Sequence, residues 1–260
     1  MKYVFAGDRD ISVWVLEYLV EQGFKPEALL VSEKERASHA KHLIELSGLP
    51  ESKIIEGDNF KKEENQSKLR MIKPDYIFGI HFPYLIPKSV LDIPKIGFLN
   101  LHPAYLPFNR GWHTPSWAIL DQTPIGATLH IMEEKLDAGD VIHQKEVKIN
   151  PDDTANSLYQ RLKVVEFETF KEAFPKLLND NFQSKAQDLG TGTSHVKNDL
   201  FQEEAQKIDL EKSYTGKELI DKMRALTTND SSEAAYFIKD DVKYRVQIKI
   251  EKDRGGSDNR

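Results

Sequence analysis

Short apolar runs alternate with stretches of helical periodicity through the first half of the chain. That alternation restricts the sequence to an α/β fold on a mostly parallel sheet with helices on both faces. Lys2–Ala6 reads as a strand that enters a turn at Gly7-Asp8-Arg9-Asp10. Ile11, Val15, Leu16, Leu19 and Val20 then recur at helical spacing. Ala28–Val31 and Lys53–Glu56 are strand candidates, with a helix over Ala37–Leu46 ending near Gly48 between them. A polar helix over Lys61–Met71 leads into a buried strand at Asp75–Ile80, and Gly97–Leu101 is a further strand running straight into His102-Pro103. The charged runs Glu33–Arg36 and Lys61–Asn65 read as solvated helix faces.

The second half changes character. Ala127–Met132 alternates and pairs with Val141–Ile149 as a hairpin across Asp137-Ala-Gly-Asp140, and residues 154–178 form a long helix burying Leu158, Leu162, Val165, Phe170 and Phe174. Composition shifts at Gly190-Thr-Gly-Thr-Ser194, which divides the chain into a catalytic domain over 1–189, a small helix and β-hairpin region over 190–252, and a disordered tail over 253–260. In the small region, a helix at Thr215–Ala225 precedes a hairpin of Ala234–Ile238 with Tyr244–Ile250, turning at Asp240-Asp241. Two strands alone are marginal in water, so the hairpin needs cover, and a homodimer through it is the expectation.

Composition narrows the chemistry. With no cysteine, disulfides, thiolate nucleophiles and cysteine-ligated metals drop out. His113, His143 and His195 have no spacing that calls for a metal, and no metal is expected. The apolar runs fall far short of the roughly 20 residues a bilayer span needs. The amino terminus carries no secretory pattern, so a cytoplasmic location is expected. Net charge is -6, and residues 201–260 hold 12 basic against 13 acidic residues, so a nucleic-acid partner is disfavoured.

Ligands of open parallel sheets sit beyond the carboxyl ends of the strands. Asn100 and His102 are two apart on one such strand, so their side chains share a face, and Pro103 stops the strand directly behind them. Asp137 occupies a glycine-containing turn that can bring a carboxylate to the imidazole, there either to raise its pKa and orient it or to accept the proton lost by the attacking amine. An amide donor, an imidazole and a carboxylate suit acyl transfer to an amine that attacks directly, with Asn100 and a protonated His102 holding the developing oxyanion. Asn-x-His is a common tripeptide, and taken alone His102 reads equally well as a structural histidine. His130 fits either a partner that orients Asp137 or a satisfied core histidine, and His81 fits the lining of a pocket.

Several separated elements then match one family in order and spacing. Asn100-Leu-His102-Pro103, the Leu106-Pro107 to Arg110-Gly111 loop, Thr128-Leu-His130 and Asp137-Ala-Gly-Asp140 resemble the signature of the folate-dependent formyltransferases, and Phe5-Ala6-Gly7 resembles the family's opening strand. The resemblance implies a Rossmann-like domain, N10-formyltetrahydrofolate as donor, and Asn100, His102 and Asp137 as the catalytic set. It also implies a pterin lying against Phe82–Leu91, with Phe82, Tyr84, Leu85, Ile86 and Leu91 as its lining and His130 and Asp140 nearby.

For the acceptor, Ala104-Tyr105-Leu106 and Phe108-Asn109-Arg110-Gly111-Trp112 are more similar to enzymes that formylate dTDP-linked amino-dideoxy sugars than to the ribonucleotide and tRNA enzymes. The resemblance therefore implies a dTDP-4-amino-4,6-dideoxyhexose, such as the glucose form. Arg110 suits a pyrophosphate; Tyr105, Trp112 and Tyr244 fit either stacking on a base or core packing; Asn109 belongs to the same loop, and Arg9 fits either a phosphate or a helix cap. Residues 193–197 are placed by expectation at the border of the acceptor site. A tRNA formyltransferase and a non-catalytic folate-binding module are the alternatives. Lys222-Met-Arg224-Ala225 resembles a motif shared by the tRNA and sugar enzymes.

Overall fold

The computed structural model describes residues 1–253. Seven strands form one sheet: β1 (Tyr3–Gly7), β2 (Ala28–Val31), β3 (Ile54–Glu56), β4 (Tyr76–Ile80), β5 (Gly97–His102), then, after the two-residue strand β6 (Arg110–Gly111), β7 (Ile125–Ile131) and β8 (Val141–Val147). The order is β3-β2-β1-β4-β5-β7-β8, with β1 to β5 parallel and β7 and β8 antiparallel at one edge. β1, β2 and β4 are buried at every position, as expected of parallel strands covered on both faces. This is the expected Rossmann-like architecture.

Helices α1 (Asp10–Glu21), α2 (Ala40–Ser47), α3 (Glu63–Ile72), α4 (Lys88–Leu91), α5 (Thr114–Leu120) and α6 (Ala155–Leu178) follow in chain order. One face of the sheet packs Phe5, Phe78, Leu99, Leu101 and Leu129 against α1 and α6. The other packs Val4, Ile77 and Phe98 against α3 and α4. Because Leu99 and Leu101 point to the α6 side, Asn100 and His102 point to the other. Thr154 caps α6 by accepting from Ser157 N at 3.3 Å. The buried side of α6 holds Lys163, Glu166 and Thr169 besides its apolar residues.

Beyond α6, β9 (Ser194–His195) pairs in parallel with β6. The helices α7 (Glu203–Gln206) and α8 (Gly216–Ala225) and the hairpin β10 (Ala235–Lys239) with β11 (Val242–Val246) complete the fold. Arg224 ties α8 to the start of α6 through Nη1, which donates to Asn150 O at 2.9 Å and Asp153 O at 3.2 Å.

Several boundaries differ from the sequence reading. The second hairpin strand runs from Val242 to Val246, not 244 to 250, because Asp240 and Asp241 both adopt positive φ (51° and 59°) and close a two-residue turn that pairs Lys239 with Val242. Helix α2 begins at Ala40 rather than Ala37, since Asp8 Oδ1 accepts from Ser38 N at 2.9 Å and from His39 N at 3.2 Å and holds the preceding residues as a turn. Glu33–Arg36 lies in that turn, not on a helix. Of the tail expected at 253–260, all but Asp253 lies outside the described residues.

Candidate active site

At the carboxyl edge of β5 the chain gathers three groups that lie far apart in sequence. Asn100 Nδ2 donates to Asp137 Oδ1 at 3.3 Å, and His102 Nε2 lies 3.5 Å from Asp137 Oδ2. Strand register brings in a fourth group. Asn100 pairs with His130 on β7, and His130 Nε2 is 3.3 Å from Asn100 Nδ2 and 3.5 Å from Asp137 Oδ1. His130 Nδ1 is 2.9 Å from Ile131 O, a carbonyl that can only accept, so that nitrogen carries a proton. His102 Nε2 likewise donates to Asn109 O at 3.3 Å.

The electrostatics follow from enclosure. Asp137 is only 8% exposed. Burial alone would push its carboxyl up, but the charges of His102 and His130, the hydrogen bond to His130 and the Gly111 N–H together hold it well below the usual carboxylate range. His102 is pushed below the ordinary imidazole value by burial, against the pull of Asp137. Asp137 is thus a fixed anion, and His102 is a reluctant cation beside it.

Backbone conformation aims these groups. Asp137 sits at φ 47°. Gly111 N donates to its Oδ2 at 3.0 Å. Gln187 Nε2 donates to Asp137 O at 3.0 Å and Gly139 O at 2.6 Å, pinning the turn from outside. The β6 loop is in turn zipped to residues 193–195. Asn109 N donates to Thr193 Oγ1 at 2.8 Å, Arg110 N to Thr193 O at 3.1 Å and Trp112 N to His195 O at 3.0 Å.

The other expected site residues divide by environment. Phe82, Tyr84, Ile86 and Leu91 pack on the α3 side, whereas Leu85 stands 79% exposed. The Phe82 and Tyr84 rings are 4.8 Å apart, and the Tyr84 hydroxyl accepts from Glu33 N at 3.2 Å. Asp140 Oδ2 accepts from Ser184 Oγ at 2.9 Å and does not join the central cluster. Asn109 is buried, and its amide is spent inside the loop, with Nδ2 donating to Pro124 O at 2.9 Å and Oδ1 accepting from Thr123 Oγ1 at 3.1 Å. Arg110 is buried, with Nε lacking a hydrogen-bond partner among the described residues. Trp112 is 44% exposed under Lys197, Tyr105 is half-buried, and Arg9 is exposed at the start of α1.

Sequence reasoning missed Gln187, Gly111 and Glu166. Gln187 carries no local signal. Gly111 is the residue after Arg110 in the loop that resembles the family. Glu166 falls four residues after Leu162 and four before Phe170, so a carboxylate in the apolar phase of α6 was its signal.

The Formyl transferase family model matches residues 22–174. A second model, the N-formyltransferase dimerization C-terminal domain, matches residues 202–252. Methionyl-tRNA formyltransferase of Geobacillus sp. (strain WCH70) is 32% identical over 187 residues, 68% of this chain, and the chain spans 58% of that relative's length. Two solved structures align nearly end to end. A sugar N-formyltransferase from Shewanella sp FDAARGOS_354 superposes with a TM-score of 0.80 at 24% identity, covering 96% of this chain and 98% of that one, a likeness of fold. A 4-N formyltransferase from Francisella tularensis superposes with a TM-score of 0.79 at 28% identity, again covering 96% and 98%. The matched family model takes in β2 to β8 and most of α6, including Asn100, His102, His130 and Asp137, and on that ground the chain belongs to the formyl transferase family.

Proposed function

We propose that this protein transfers the formyl group of N10-formyltetrahydrofolate to the amine of a nucleotide-linked amino-sugar, with dTDP-4-amino-4,6-dideoxyglucose as the preferred acceptor. The observation that carries the reading is the Asn100, His102 and Asp137 constellation at a strand edge. It sets a neutral amide donor 3.3 Å and an imidazole 3.5 Å from the two oxygens of one fixed anion.

In this reading Asn100 donates to the formyl oxygen as negative charge builds there, a contribution worth roughly 2.7–4 kcal/mol. His102 adds a second donor whenever it is protonated. Asp137 holds both in place and favours that cation. The donor fits the surroundings: Phe82, Ile86 and Met132 are partly buried apolar groups on the Phe98 face of the sheet, the face to which Asn100 and His102 also point. Folate supplies the activated formyl carbon, and the residues above bind and polarise it.

The acceptor assignment is supported by likeness to the Francisella tularensis 4-N formyltransferase over almost the full length of both chains. It is also supported by the buried Arg110, whose Nε has no partner among the described residues and suits a phosphate oxygen. A second reading, formylation of a charged tRNA, is favoured by the 32% identity to methionyl-tRNA formyltransferase. Turnover on the amino-sugar against turnover on charged initiator tRNA separates the two. We further propose a homodimer through β10 and β11, where Ile238, Val242 and Tyr244 are 44%, 49% and 46% exposed.

A further inference from the structure

Residues 175–201 lie between the two matched family models, and within them the stretch 184–187 grips the turn that carries Asp137. Ser184 Oγ donates to Asp140 Oδ2 at 2.9 Å. Lys185 pairs antiparallel with Val141, with Val141 N donating to Lys185 O at 2.8 Å and Lys185 N to Val141 O at 2.9 Å. Gln187 Nε2 then donates to Asp137 O at 3.0 Å and to Gly139 O at 2.6 Å. Its Oε1 is enclosed without a partner among the described residues, so the hydrogen bonding is done by the two N–H groups.

Three facts make this contact bear on the carboxylate as well as on the loop. The heading of the Asp137 side chain is set by the two backbone rotations at its Cα. One of them, φ, is 47°, a left-handed value that persists in a non-glycine residue when the surroundings over-determine it. The other, ψ, follows the heading of the carbonyl that Gln187 holds. On the far side the turn has no slack, since a Cβ built on Gly139 would lie 1.9 Å from Ile131 O. The contacts of the carboxylate are already long, at 3.3 Å to Asn100 Nδ2 and 3.5 Å to His102 Nε2. At that length a slight further separation ends a hydrogen bond, so a small rotation of the turn breaks them.

One segment thus holds the carboxylate from two directions. Gln187 acts on its backbone directly. Residues 193–195 act through β6, whose Gly111 N–H meets Oδ2 at 3.0 Å.

We propose that Gln187 is the positioning residue for Asp137, the 184–195 segment completing the catalytic cluster by bracing both the turn and the loop that aim it; this rests on the formyl-transfer reading. Gln187 acts through Asp137 and not on the substrate.

The test compares wild type with Gln187→Met, which keeps the reach of the side chain and removes both donors. A second variant, Gln187→Asn, keeps the amide but draws it back by one methylene. Each is assayed for formyl transfer from N10-formyltetrahydrofolate to dTDP-4-amino-4,6-dideoxyglucose, at a temperature where melts show it folded. The Asp137 carboxyl is titrated by carboxyl-carbon NMR, its resonance assigned by its absence in Asp137→Asn. Expected for Gln187→Met is a kcat lowered roughly 10–10²-fold, with the KM for each substrate little changed. Its Asp137 carboxyl should titrate closer to the ordinary carboxylate range, as it loses alignment with the groups that hold it low. Gln187→Asn should show a smaller deficit of the same kind. Wild-type kcat in folded Gln187→Met overturns the assignment, as does a raised KM for the folate donor with kcat unchanged, or an Asp137 titration that does not move. The titration needs no turnover. It therefore reads the brace even if the wild-type protein makes no formamide, a result that would overturn the formyl-transfer reading on its own.

Discussion

Gly111 N donates to Asp137 Oδ2 at 3.0 Å while a Cβ built on Gly111 would lie 2.2 Å from His195 O. The residue that aims the carboxylate is therefore one that only glycine can be. Its φ is +96°, a conformation disfavoured for any side chain, and the strand pair β6–β9 closes directly over it. The 193–195 segment is thereby linked, through its pairing with Gly111, to the Asp137 carboxylate.

Gly111→Ala should therefore disturb the site and the fold together. Strain at a positive φ costs on the order of 1–3 kcal/mol before the clash is counted. The expected result is a lowered melting temperature and a kcat loss of at least about 10-fold, the loss of a hydrogen bond worth on the order of 1.5–3 kcal/mol to a charged group. A thermal melt and a steady-state assay on one preparation check both.

Asn100→Ala should reduce kcat by roughly 10²–10³-fold, because the amide acts on charge that builds during reaction, and should also lower stability through the lost hydrogen bond to the buried Asp137 carboxylate. A folded variant with wild-type kcat would remove Asn100 from the chemistry.

The pH dependence of Asp137 has a definite sign. Its folded-state carboxyl lies below the unfolded value of about 3.9. The stability it contributes is present above that value and is lost as pH falls toward the folded value. Urea midpoints for wild type and Asp137→Asn should differ most near neutral pH and converge below about pH 4. A gap that is constant with pH would show that Asp137 carries no such linkage.

Arg224 is buried, donates through Nη1 to Asn150 O and Asp153 O, and meets Asp221 Oδ1 through Nε at 2.8 Å. Arg224→Ala strands those carbonyls and should cost about 3 kcal/mol, lowering Tm by roughly 6–12 °C for a chain of this size. Lysine should not restore it, since one ammonium cannot reproduce the planar fork. Differential scanning calorimetry of both variants decides it.

How much of this was legible in the sequence depended on how each element is stabilised. β1, β2 and β4 announce themselves because both faces are buried and each is a near-continuous apolar run. α6 does so through its apolar spacing. Asn100 and His102 could be placed on one face from the two-residue period alone. The pieces that aim them could not. β6 and β9 are two residues each, and their pairing joins residues 110–111 with 194–195. The turn at Asp137 depends on a positive φ that aspartate tolerates without advertising. Asn109 reads as a surface loop residue, yet its amide is turned inward on Pro124 and Thr123. Glu166 was visible as a charge out of phase with its helix, but its partner His81, 85 residues away, was not.

The most direct test of the account is a formylation assay of the wild-type protein, with N10-formyltetrahydrofolate against dTDP-amino-dideoxyhexoses bearing the amine at C4 or at C3, and product identified by mass. The account predicts a formamide from the C4 amine at a rate well above that from the C3 amine, lowered roughly 10²–10³-fold in Asn100→Ala. No formamide from either sugar, alongside formylation of charged initiator tRNA, would contradict it.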